Sequence, residues 1–243
     1  MAEPSRGGVG TAGSGTLPET QVRAMFDRIA GVYDLMNSVM SAGMHHAWRR
    51  RAADMANVGP GARVLDVATG TGDLAIELAG RVVPGGEVIG SDFSERMLEL
   101  ARRKAPDIGF EWGDALALDH PDDSFDAATV GFGARNFADL ARGLSEMTRV
   151  VRPGGRIVVL EFTTPQRPPL SWFFRLWFDS VVPLLGRAAG DPEAYTYLPR
   201  SVRRFPDPRG LAAAMVAVGL VDVRYVVTAG GIVTIHRGTV SES

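Results

Sequence analysis

The segment DVATGTGD, residues 66–73, combines acidic residues with two closely spaced glycines, a pattern suited to binding a nucleotide. Glycine allows positive φ angles and lets the backbone approach a ligand. Gly70 and Gly72 form G-x-G without the third glycine of the dinucleotide motif, which argues against a nicotinamide-dependent dehydrogenase. Because such a turn can also be a tight connection that binds nothing, the residues that accompany it decide its interpretation.

Two later acidic residues accompany the turn. Asp92 lies 22 residues after Gly70, at the end of a second apolar run, where a carboxylate can accept hydrogen bonds from both hydroxyls of a ribose. Asp114 and Ala115 follow a third run. A carboxylate there can accept from the amino group of adenine, while a backbone N–H serves a ring nitrogen. The sequence therefore predicts a nucleoside site at the carboxyl edge of a parallel sheet.

The composition narrows the remaining chemistry. The 243 residues include no cysteine, which excludes disulfides, thiolate metal sites and cysteine nucleophiles. The net charge of -2 gives no global positive field for nucleic acid. We predict no metal site, because His45 and His46 are adjacent and should point apart on a helix. Since no apolar run approaches the ~20 residues that cross a bilayer, we expect a cytoplasmic protein, peripheral at most to the inner face of the membrane.

Hydrophobic periodicity indicates the elements that position these residues. Apolar runs alternate with segments of helical spacing, which predicts a parallel sheet covered by helices on both faces. The runs occupy 64–67, 86–93, 108–115, 124–133 and 152–162. Helices are predicted at 73–82, 94–105, 137–151 and 209–220. Ser94 is a suitable N-cap, and a hairpin with a Gly-Gly turn is predicted over 221–238.

We divide the chain into a tail and one domain. Residues 1–20 are rich in glycine, serine and threonine and predict a disordered tail, while residues 21–243 form a single domain. Helical spacing over 21–57 predicts an N-terminal cap, and 62–162 is the predicted cofactor-binding core. The aromatic, proline-punctuated segment 163–207 predicts a helical insertion that serves as a substrate lid.

The chain resembles the Rossmann-like class I S-adenosylmethionine-dependent methyltransferases in the order and spacing of VLDVATGTGD, GSD, WGDA, SFDAATV and VVRPGGRIVVLEF. The resemblance covers about 63–162. It implies an α/β fold with a seven-stranded sheet that ends in an antiparallel hairpin, and S-adenosylmethionine as cofactor. The cofactor-binding residues that it implies are Asp66, Ala68, Gly70, Thr71, Gly72, Asp92, Phe93, Asp114, Ala115 and Gly131. The chain departs from the pattern at Ala68, where many members have glycine.

A second resemblance rests on YDLMNSVMSAGMHHAW, residues 33–48, which follows the order Y-D-x-M-N-x-x-M-S-x-x-x-H-x-x-W. This order resembles the ubiquinone/menaquinone biosynthesis C-methyltransferase family. Further similar segments are GFGARN at 131–136, RVVRPGGRIVVLEFTTP at 149–165 and YTYLPRSVRRFP at 195–206. The chain departs from this family at Gly131, where serine is usual, and at Arg200, where we expect glutamate.

The family resemblance implies methyl transfer from S-adenosylmethionine to a ring carbon of a prenylated hydroquinone. Demethylmenaquinol is the favoured acceptor, because the arginine-rich composition, with Lys104 as the only lysine, suggests a source that uses menaquinone. The alternatives are the benzoquinol precursor of ubiquinone, another hydrophobic small molecule, and a non-enzymatic scaffold that binds the cofactor within a quinone-synthesis complex. A homodimer is compatible with the sequence.

The chemistry of this reaction suggests roles for five residues. A sulfonium methyl is already electrophilic, so the protein must help a phenol group of the acceptor to lose its proton. Arg135 could then stabilise the phenolate, and Asn136 could hydrogen-bond a quinol oxygen. Tyr33, Asp34 and His45 could wall the ring, with Asp34 or His45 accepting the proton through water. The alternatives are that Arg135 only pairs with a surface acid and that His45 is only a packed or surface residue.

The predicted lid contains LSWFFRLWFDSVVPLLG, residues 170–186, which is rich in aromatic side chains and carries few charges. One interpretation is a buried helix of the insertion. The other is a surface that lines the channel for the prenyl tail or touches a bilayer.

Overall fold

A computed structural model describes the chain at residues 19–41, 43–165, 168, 171–172, 176 and 192–242. The strands of this part are β1 (Arg63–Val67), β2 (Glu87–Asp92), β3 (Gly109–Trp112), β4 (Phe125–Gly131), β5 (Val151–Phe162), β6 (Leu220–Thr228) and β7 (Val233–Val240). Within the described residues they form a seven-stranded sheet in the order β3-β2-β1-β4-β5-β7-β6. β1 to β5 are parallel, and β7 runs antiparallel between β5 and β6. The predicted fold class and closing hairpin are confirmed.

Helices cover both faces of the sheet. Those that the structure describes are α1 (Glu19–Ser41), α2 (His45–Ala56), α3 (Asp73–Val82), α4 (Glu95–Lys104), α5 (Leu140–Val150), α6 (Pro192–Arg204) and α7 (Pro208–Ala217). The N-cap prediction is confirmed, because the Ser94 side chain accepts from the backbone N–H of Met97. α5 begins three residues later than predicted, since Asp139 caps it by accepting from the N–H of Arg142.

The core lies on both faces of the sheet, which explains why the parallel strands are almost continuously apolar. Alternate residues of a strand point to opposite faces. On one face, Val64 and Leu160 pack beneath α2 and α3. On the other face, Leu65 and Ile157 pack beneath α5 and α7. Because both faces of the sheet are buried, the ends of its strands are held in place. The predicted site residues lie at those ends.

The N-terminal cap differs from the uninterrupted helical pattern of its sequence. α1 ends at Ser41 and α2 begins at His45. Gly43 between them has a φ of 76°, which the interior of a right-handed helix does not adopt. The ring centroids of His45 and His46 lie 3.9 Å apart. The expectation that these rings point apart was therefore wrong, because side-chain torsions bring the rings together although their Cβ atoms diverge.

The predicted tail lies largely outside the described residues, and the predicted lid lies partly outside them. Residues 1–18 of the tail are outside them, and so is about half of 163–207. Of the aromatic segment 170–186, Ser171, Trp172 and Leu176 are described. Ser171 is buried, whereas Trp172 and Leu176 have exposed fractions of 63% and 62%. Among the helices of the described residues, none is long and apolar enough to span a membrane. The division into tail, cap, core and lid stays a prediction.

Candidate active site

A cleft of about 920 Å³, including its open mouth, lies at the carboxyl edge of the sheet, between the ends of β1 and β4. Among the residues that line it are all those predicted to bind the cofactor except Gly72, namely Asp66, Ala68, Gly70, Thr71, Asp92, Phe93, Asp114, Ala115 and Gly131. Of the predicted catalytic residues, Asn136 lines the cleft. The side chains of Tyr33 and Asp34, which belong to α1, lie outside the described residues. The sheet edge therefore brings the predicted nucleoside contacts together.

The turn after β1 forms one wall of the cleft. Ala68, Gly70 and Gly72 have φ angles of 51°, 58° and 83°, the left-handed region that glycine enters without steric cost. Gly72 is absent from the wall because it caps α3 and packs against a neighbouring strand. A Cβ placed on it would lie 2.8 Å from the ring of Phe110. The left-handed conformation of Ala68 gives a physical reason for the glycine that the resembling proteins often carry there.

Asp66 is buried at the base of this wall, with 1% of its surface exposed. The hydroxyls of Thr69 and Thr129 donate to its two carboxylate oxygens, each at 2.6 Å. Burial raises the pKa of Asp66 to about 6, although both hydrogen bonds act to lower it. Asp66 is thus a rigidly held acidic group that changes charge close to neutral pH.

Asp92 stands opposite Asp66, at the end of β2. Its Oδ2 accepts from the backbone N–H of Gly70 at 2.8 Å, and its Oδ1 accepts from that of Ser94 at 2.9 Å. Burial raises the pKa of Asp92 to about 6, although these hydrogen bonds act to lower it. The hydroxyl of Ser94 in turn donates to Asp27 of α1 at 2.6 Å. One cluster of hydrogen bonds therefore joins the glycine turn, β2 and the N-terminal cap.

Another wall of the cleft is formed by the residues that come directly after β3. Oδ1 of Asp114 accepts from the N–H of Leu116 at 2.8 Å, which fixes the carboxylate at the cleft. The rings of Phe26 and Phe93 meet edge to face, with centroids 6.4 Å apart, and both rings line the cleft. Gly113 has no room for a side chain, since a Cβ would lie 2.2 Å from the hydroxyl of Ser91. Apolar rings beside a fixed carboxylate suit a purine base.

A cationic group borders the cleft beside α3. Nη1 of the buried Arg49 lies 3.1 Å from Oδ2 of Asp73, and Nζ of Lys104 lies 2.7 Å from Oδ1. Burial acts to raise the pKa of Asp73, but the charges of Arg49 and Lys104 outweigh it and leave this pKa below its ordinary value. The Arg49 guanidinium also lies 5.7 Å from the centroid of the Phe132 ring. Arg49 and Asp73 both line the cleft, so it offers a fixed charge of each sign.

The backbone after β4 is strained where it borders the cleft. Phe132 has a φ of 61°, an outlier for a bulky residue. Its N–H donates to the carbonyl of Leu160 at 2.8 Å. Its ring packs against that of Phe162, with the centroids 4.5 Å apart and the planes tilted by 31°. The next residue, Gly133, has no room for a side chain, because a Cβ there would lie 2.6 Å from the Cβ of Ala68. Strain of this kind is held by the surrounding structure, and it commonly marks a binding site.

The comparison with known families decides the class of the protein. Residues 15–240 match the ubiE/COQ5 methyltransferase family. The chain belongs to the ubiE/COQ5 methyltransferase family. It is therefore an enzyme that uses S-adenosylmethionine as its cofactor. The buried carboxylates, the cation and the apolar rings of the cleft fit that cofactor, which carries ribose hydroxyls, a carboxylate and a purine.

Several relatives cover most of the chain. A demethylmenaquinone methyltransferase of Deinococcus radiodurans is 53% identical over 82% of this chain and 84% of its own. One of Thermus thermophilus is 49% identical over 88% of this chain and 99% of its own. A ubiquinone/menaquinone biosynthesis C-methyltransferase of a Geobacter species is 42% identical over 90% and 96%.

Solved structures show the same fold at low sequence identity. A methyltransferase of Thermotoga maritima superposes with a TM-score of 0.63 at 20% identity, over 89% of this chain and 98% of its own. The cyclase SpnF superposes with a TM-score of 0.68 at 18% identity, over 94% and 98%. Since a cyclase shares the fold, the fold alone does not give the reaction, and family membership carries that conclusion.

Arg135, one of the predicted catalytic residues, is held by a buried acid of β5. Its Nη1 donates to Oε1 of Glu161 at 2.8 Å and also to the carbonyl oxygen of Phe132. The exposed fractions of the Arg135 and Glu161 side chains are 6% and 0%. Glu161 also accepts from the backbone N–H groups of Arg135 and Phe162. This ion pair braces the turn after β4, and a direct role of Arg135 in the reaction stays a prediction.

His45, another predicted catalytic residue, is buried at the start of α2. Its Nδ1 lies 2.7 Å from the hydroxyl of Ser41, at the end of α1. This contact joins the two cap helices, and His45 does not belong to the cleft wall that the described residues form. Within the described residues, no three His, Asp or Glu side chains are grouped to hold a metal ion.

The structure also adds residues that the sequence did not single out. Tyr197 of α6 donates its hydroxyl proton to Oδ1 of Asn136 at 3.1 Å. Burial raises the pKa of Tyr197 above its ordinary value. Arg49, Phe26 and Asp27 join the site from the N-terminal cap. Tyr197 lies in the motif YTYLPRSVRRFP, which was the available signal for it, whereas Arg49 lies just beyond the motif of 33–48 and carried no signal.

Proposed function

We propose that this protein transfers the methyl group of S-adenosylmethionine to a ring carbon of a prenylated hydroquinone, with demethylmenaquinol as its acceptor. The observation that carries this proposal is the near full-length match to relatives named for that activity, at 49% and 53% identity. The family match spans residues 15–240 and therefore includes the residues that line the cleft.

The cofactor end of the cleft supports a specific set of contacts. Asp92 is proposed to accept hydrogen bonds from the ribose hydroxyls, and Asp114, with the N–H of Ala115, to contact the adenine. The turn at Gly70 is proposed to carry the backbone past the amino-acid portion. Arg49 is the buried cation of this cleft, and its charge suits the carboxylate of that portion. When bound, S-adenosylmethionine supplies an electrophilic methyl group on a sulfonium.

The acceptor end is proposed to lie along the turn after β4. Phe132 and Phe137 give it apolar walls, and Asn136 places an amide among them. A flat aromatic ring fits between such walls, while the amide can hydrogen-bond one quinol oxygen. Gly131 keeps this wall thin, since a Cβ there would lie 3.1 Å from Cδ2 of Leu74. The hydroxyl that a serine would supply at this position is therefore absent, and the backbone of Gly131 borders the cleft directly.

Proton removal from the quinol is proposed to involve the same turn. A phenolate places negative charge on the ring and makes the neighbouring carbon nucleophilic. The buried Arg135–Glu161 pair holds the turn, and the positive end of Arg135 lowers the cost of a phenolate nearby. Tyr33 and Asp34 keep their proposed roles in walling the ring and passing the proton to water, whereas His45, which lies outside the described cleft wall, keeps only its proposed role as a proton acceptor through water.

The exposed apolar residues of the lid support a peripheral membrane contact. Trp172 and Leu176 are more than half exposed, and a prenyl tail must leave the bilayer to enter the cleft. We expect the wild type to sediment with vesicles of neutral lipid, and a Trp172→Ser/Leu176→Ser variant to sediment less. Equal recovery of both proteins in the supernatant would remove this part of the proposal.

The acceptor is tested by direct competition. The enzyme is supplied with labelled S-adenosylmethionine and with the reduced forms of a short-tail demethylmenaquinone and a short-tail benzoquinone precursor, separately and mixed. We expect the label in the naphthoquinol product, with the higher kcat/KM. A higher kcat/KM for the benzoquinol would mean that the acceptor is the ubiquinone precursor instead. The name of the Geobacter relative includes both ubiquinone and menaquinone biosynthesis. Label in neither quinol would refute the proposal.

A further inference from the structure

A hydrogen bond connects α6 of the predicted lid segment to the wall of the cleft. The hydroxyl of Tyr197 lies 3.1 Å from Oδ1 of Asn136, which belongs to the short 3-10 helix Ala134–Asn136 after β4. Tyr197 is 6% exposed, so bulk water competes little for its hydroxyl. Asn136 lines the cleft, whereas Tyr197 is not among the residues that line it.

The surroundings of Tyr197 set the direction of this hydrogen bond. A phenol hydroxyl has one proton to donate and two lone pairs that accept, whereas a guanidinium can only donate. The guanidinium of Arg204 lies over the ring of Tyr197, 5.9 Å from its centroid, and offers no acceptor for the hydroxyl proton. The hydroxyl of Tyr197 donates to Oδ1 of Asn136 at 3.1 Å. An amide that receives a proton must present its oxygen.

The orientation of the Asn136 amide follows from that proton. With Oδ1 facing Tyr197, the Nδ2 group takes the other branch of the planar amide, and its N–H trans to Oδ1 points away from Tyr197. We propose that Tyr197 is a positioning residue that fixes the Asn136 amide with this N–H donor toward the acceptor's oxygen. This inference rests on the proposed function, and it assigns to α6 a role in the reaction besides covering the cleft.

The consequence for the reaction is electrostatic. N–H donors that are already aimed at an oxygen stabilise the charge that develops there, and no reorganisation is needed when the phenol loses its proton. A flipped amide would present a carbonyl oxygen to the same place and repel a phenolate. Tyr197 therefore favours the orientation that binds the anion more strongly than the neutral quinol, an effect expected in kcat more than in KM.

The test compares Tyr197→Phe, Asn136→Ala and the double variant with the wild type. Tyr225→Phe is a matched control, because Tyr225 is partly exposed on β6 and stacks on His236 instead of contacting Asn136. Losing one hydrogen bond should reduce kcat for the quinol roughly three- to tenfold in Tyr197→Phe. Losing the oxyanion donor should reduce it about 100-fold in Asn136→Ala. The cofactor Kd should stay unchanged in each.

The double variant separates positioning from general stabilisation. If Tyr197 acts through Asn136, removing its hydroxyl from the Asn136→Ala protein should reduce kcat no further. An additional three- to tenfold loss there, or wild-type kcat in Tyr197→Phe, would overturn the inference. Thermal unfolding of each variant checks that the ring, which Phe retains, still packs.

A measurement without turnover keeps the inference testable if the wild type methylates no quinol, an outcome that would refute the proposed function instead. In ¹⁵N-labelled protein, the side-chain amide signals of Asn136 should shift or broaden in Tyr197→Phe and stay unchanged in Tyr225→Phe. Unchanged signals in Tyr197→Phe would overturn the positioning role on its own.

Discussion

The cofactor end of the cleft is built mainly from the carboxyl ends of β1, β2 and β3, whereas the acceptor end also depends on separate helices. At the cofactor end, Asp66 and Asp92 are held by residues of the sheet and of the turns at its carboxyl edge, namely Thr69, Gly70, Ser94 and Thr129. At the acceptor end, Asn136 depends on Tyr197, 61 residues later in the chain. The first end is preformed by the sheet, and the second is completed only when distant segments pack. Substitutions should therefore act locally at one end and more widely at the other.

The largest effect is expected at the acceptor end, from Arg135→Ala. Glu161 would be left fully buried without its ion-pair partner, which should lower the free energy of unfolding by roughly 3–5 kcal/mol. Urea unfolding measures this loss, and Arg135→Ala/Glu161→Gln should recover part of it because the charge is gone. In folded protein, calorimetry should find the cofactor affinity preserved while turnover is lost. Loss of cofactor affinity would mean that the two ends are not separate.

A large but local effect is expected at the cofactor end, from Asp92→Asn. The amide cannot accept from both ribose hydroxyls, so the cofactor Kd should rise roughly 10- to 100-fold. The KM for the quinol should change little, since the acceptor end is built by other elements. Asp107→Asn, on an exposed loop, is the matched control. A rise in the quinol KM as large as the rise in Kd would contradict the separation of the two ends.

A smaller effect is expected from pH, again at the cofactor end. The pKa of Asp92 is raised to about 6 by burial, and its ionised form is the better acceptor for the ribose hydroxyls that it is proposed to bind. Cofactor affinity should therefore fall about tenfold between pH 7 and pH 5, as the ionised fraction decreases. Titration calorimetry at several pH values measures this dependence. In Asp92→Asn, the cofactor affinity should depend less on pH than in the wild type. An equal pH dependence in both proteins would mean that another group causes it.

The same raised pKa values determine whether the free energy of unfolding rises or falls with pH. Asp66 and Asp92 both titrate at about 6 when folded, above their ordinary value of 3.8. Their contribution to stability is thus fully present below pH 3.8 and is lost as the pH rises through about 6. Without cofactor, the wild type should lose stability over this interval relative to Asp66→Asn. A gain instead would mean that the hydrogen bonds from Thr69 and Thr129 outweigh burial.

The smallest effect is expected from Ala68→Gly in the glycine turn. Ala68 has a φ of 51°, and glycine relieves this strain, so the free energy of unfolding should increase by about 0.5–1 kcal/mol. Ala47→Gly on the exposed face of α2 makes the same chemical change in a helix, where it should reduce stability by a similar amount. If both substitutions change the free energy of unfolding in the same direction, backbone strain at Ala68 does not affect stability.

The sequence predicted the cofactor end more fully than the acceptor end, for a physical reason. A buried parallel strand followed by glycines and an acid is local, so Asp66, Gly70 and Asp92 were visible in short segments. The contacts of Arg135 with Glu161 and of Tyr197 with Asn136 join distant segments, and no local pattern encodes them. The break at Gly43 was missed because the apolar spacing continues across it, while the tertiary fold requires a turn.

The central claim is methyl transfer to the reduced ring of a quinol, and one assay tests it most directly. The wild type is incubated with methyl-labelled S-adenosylmethionine and a short-tail demethylmenaquinone, kept either reduced or oxidised, and the product is analysed by mass spectrometry and NMR. We expect one labelled methyl on a ring carbon from the reduced form and none from the oxidised form. Label on an oxygen, equal transfer to the oxidised form, or no transfer to either would contradict the account.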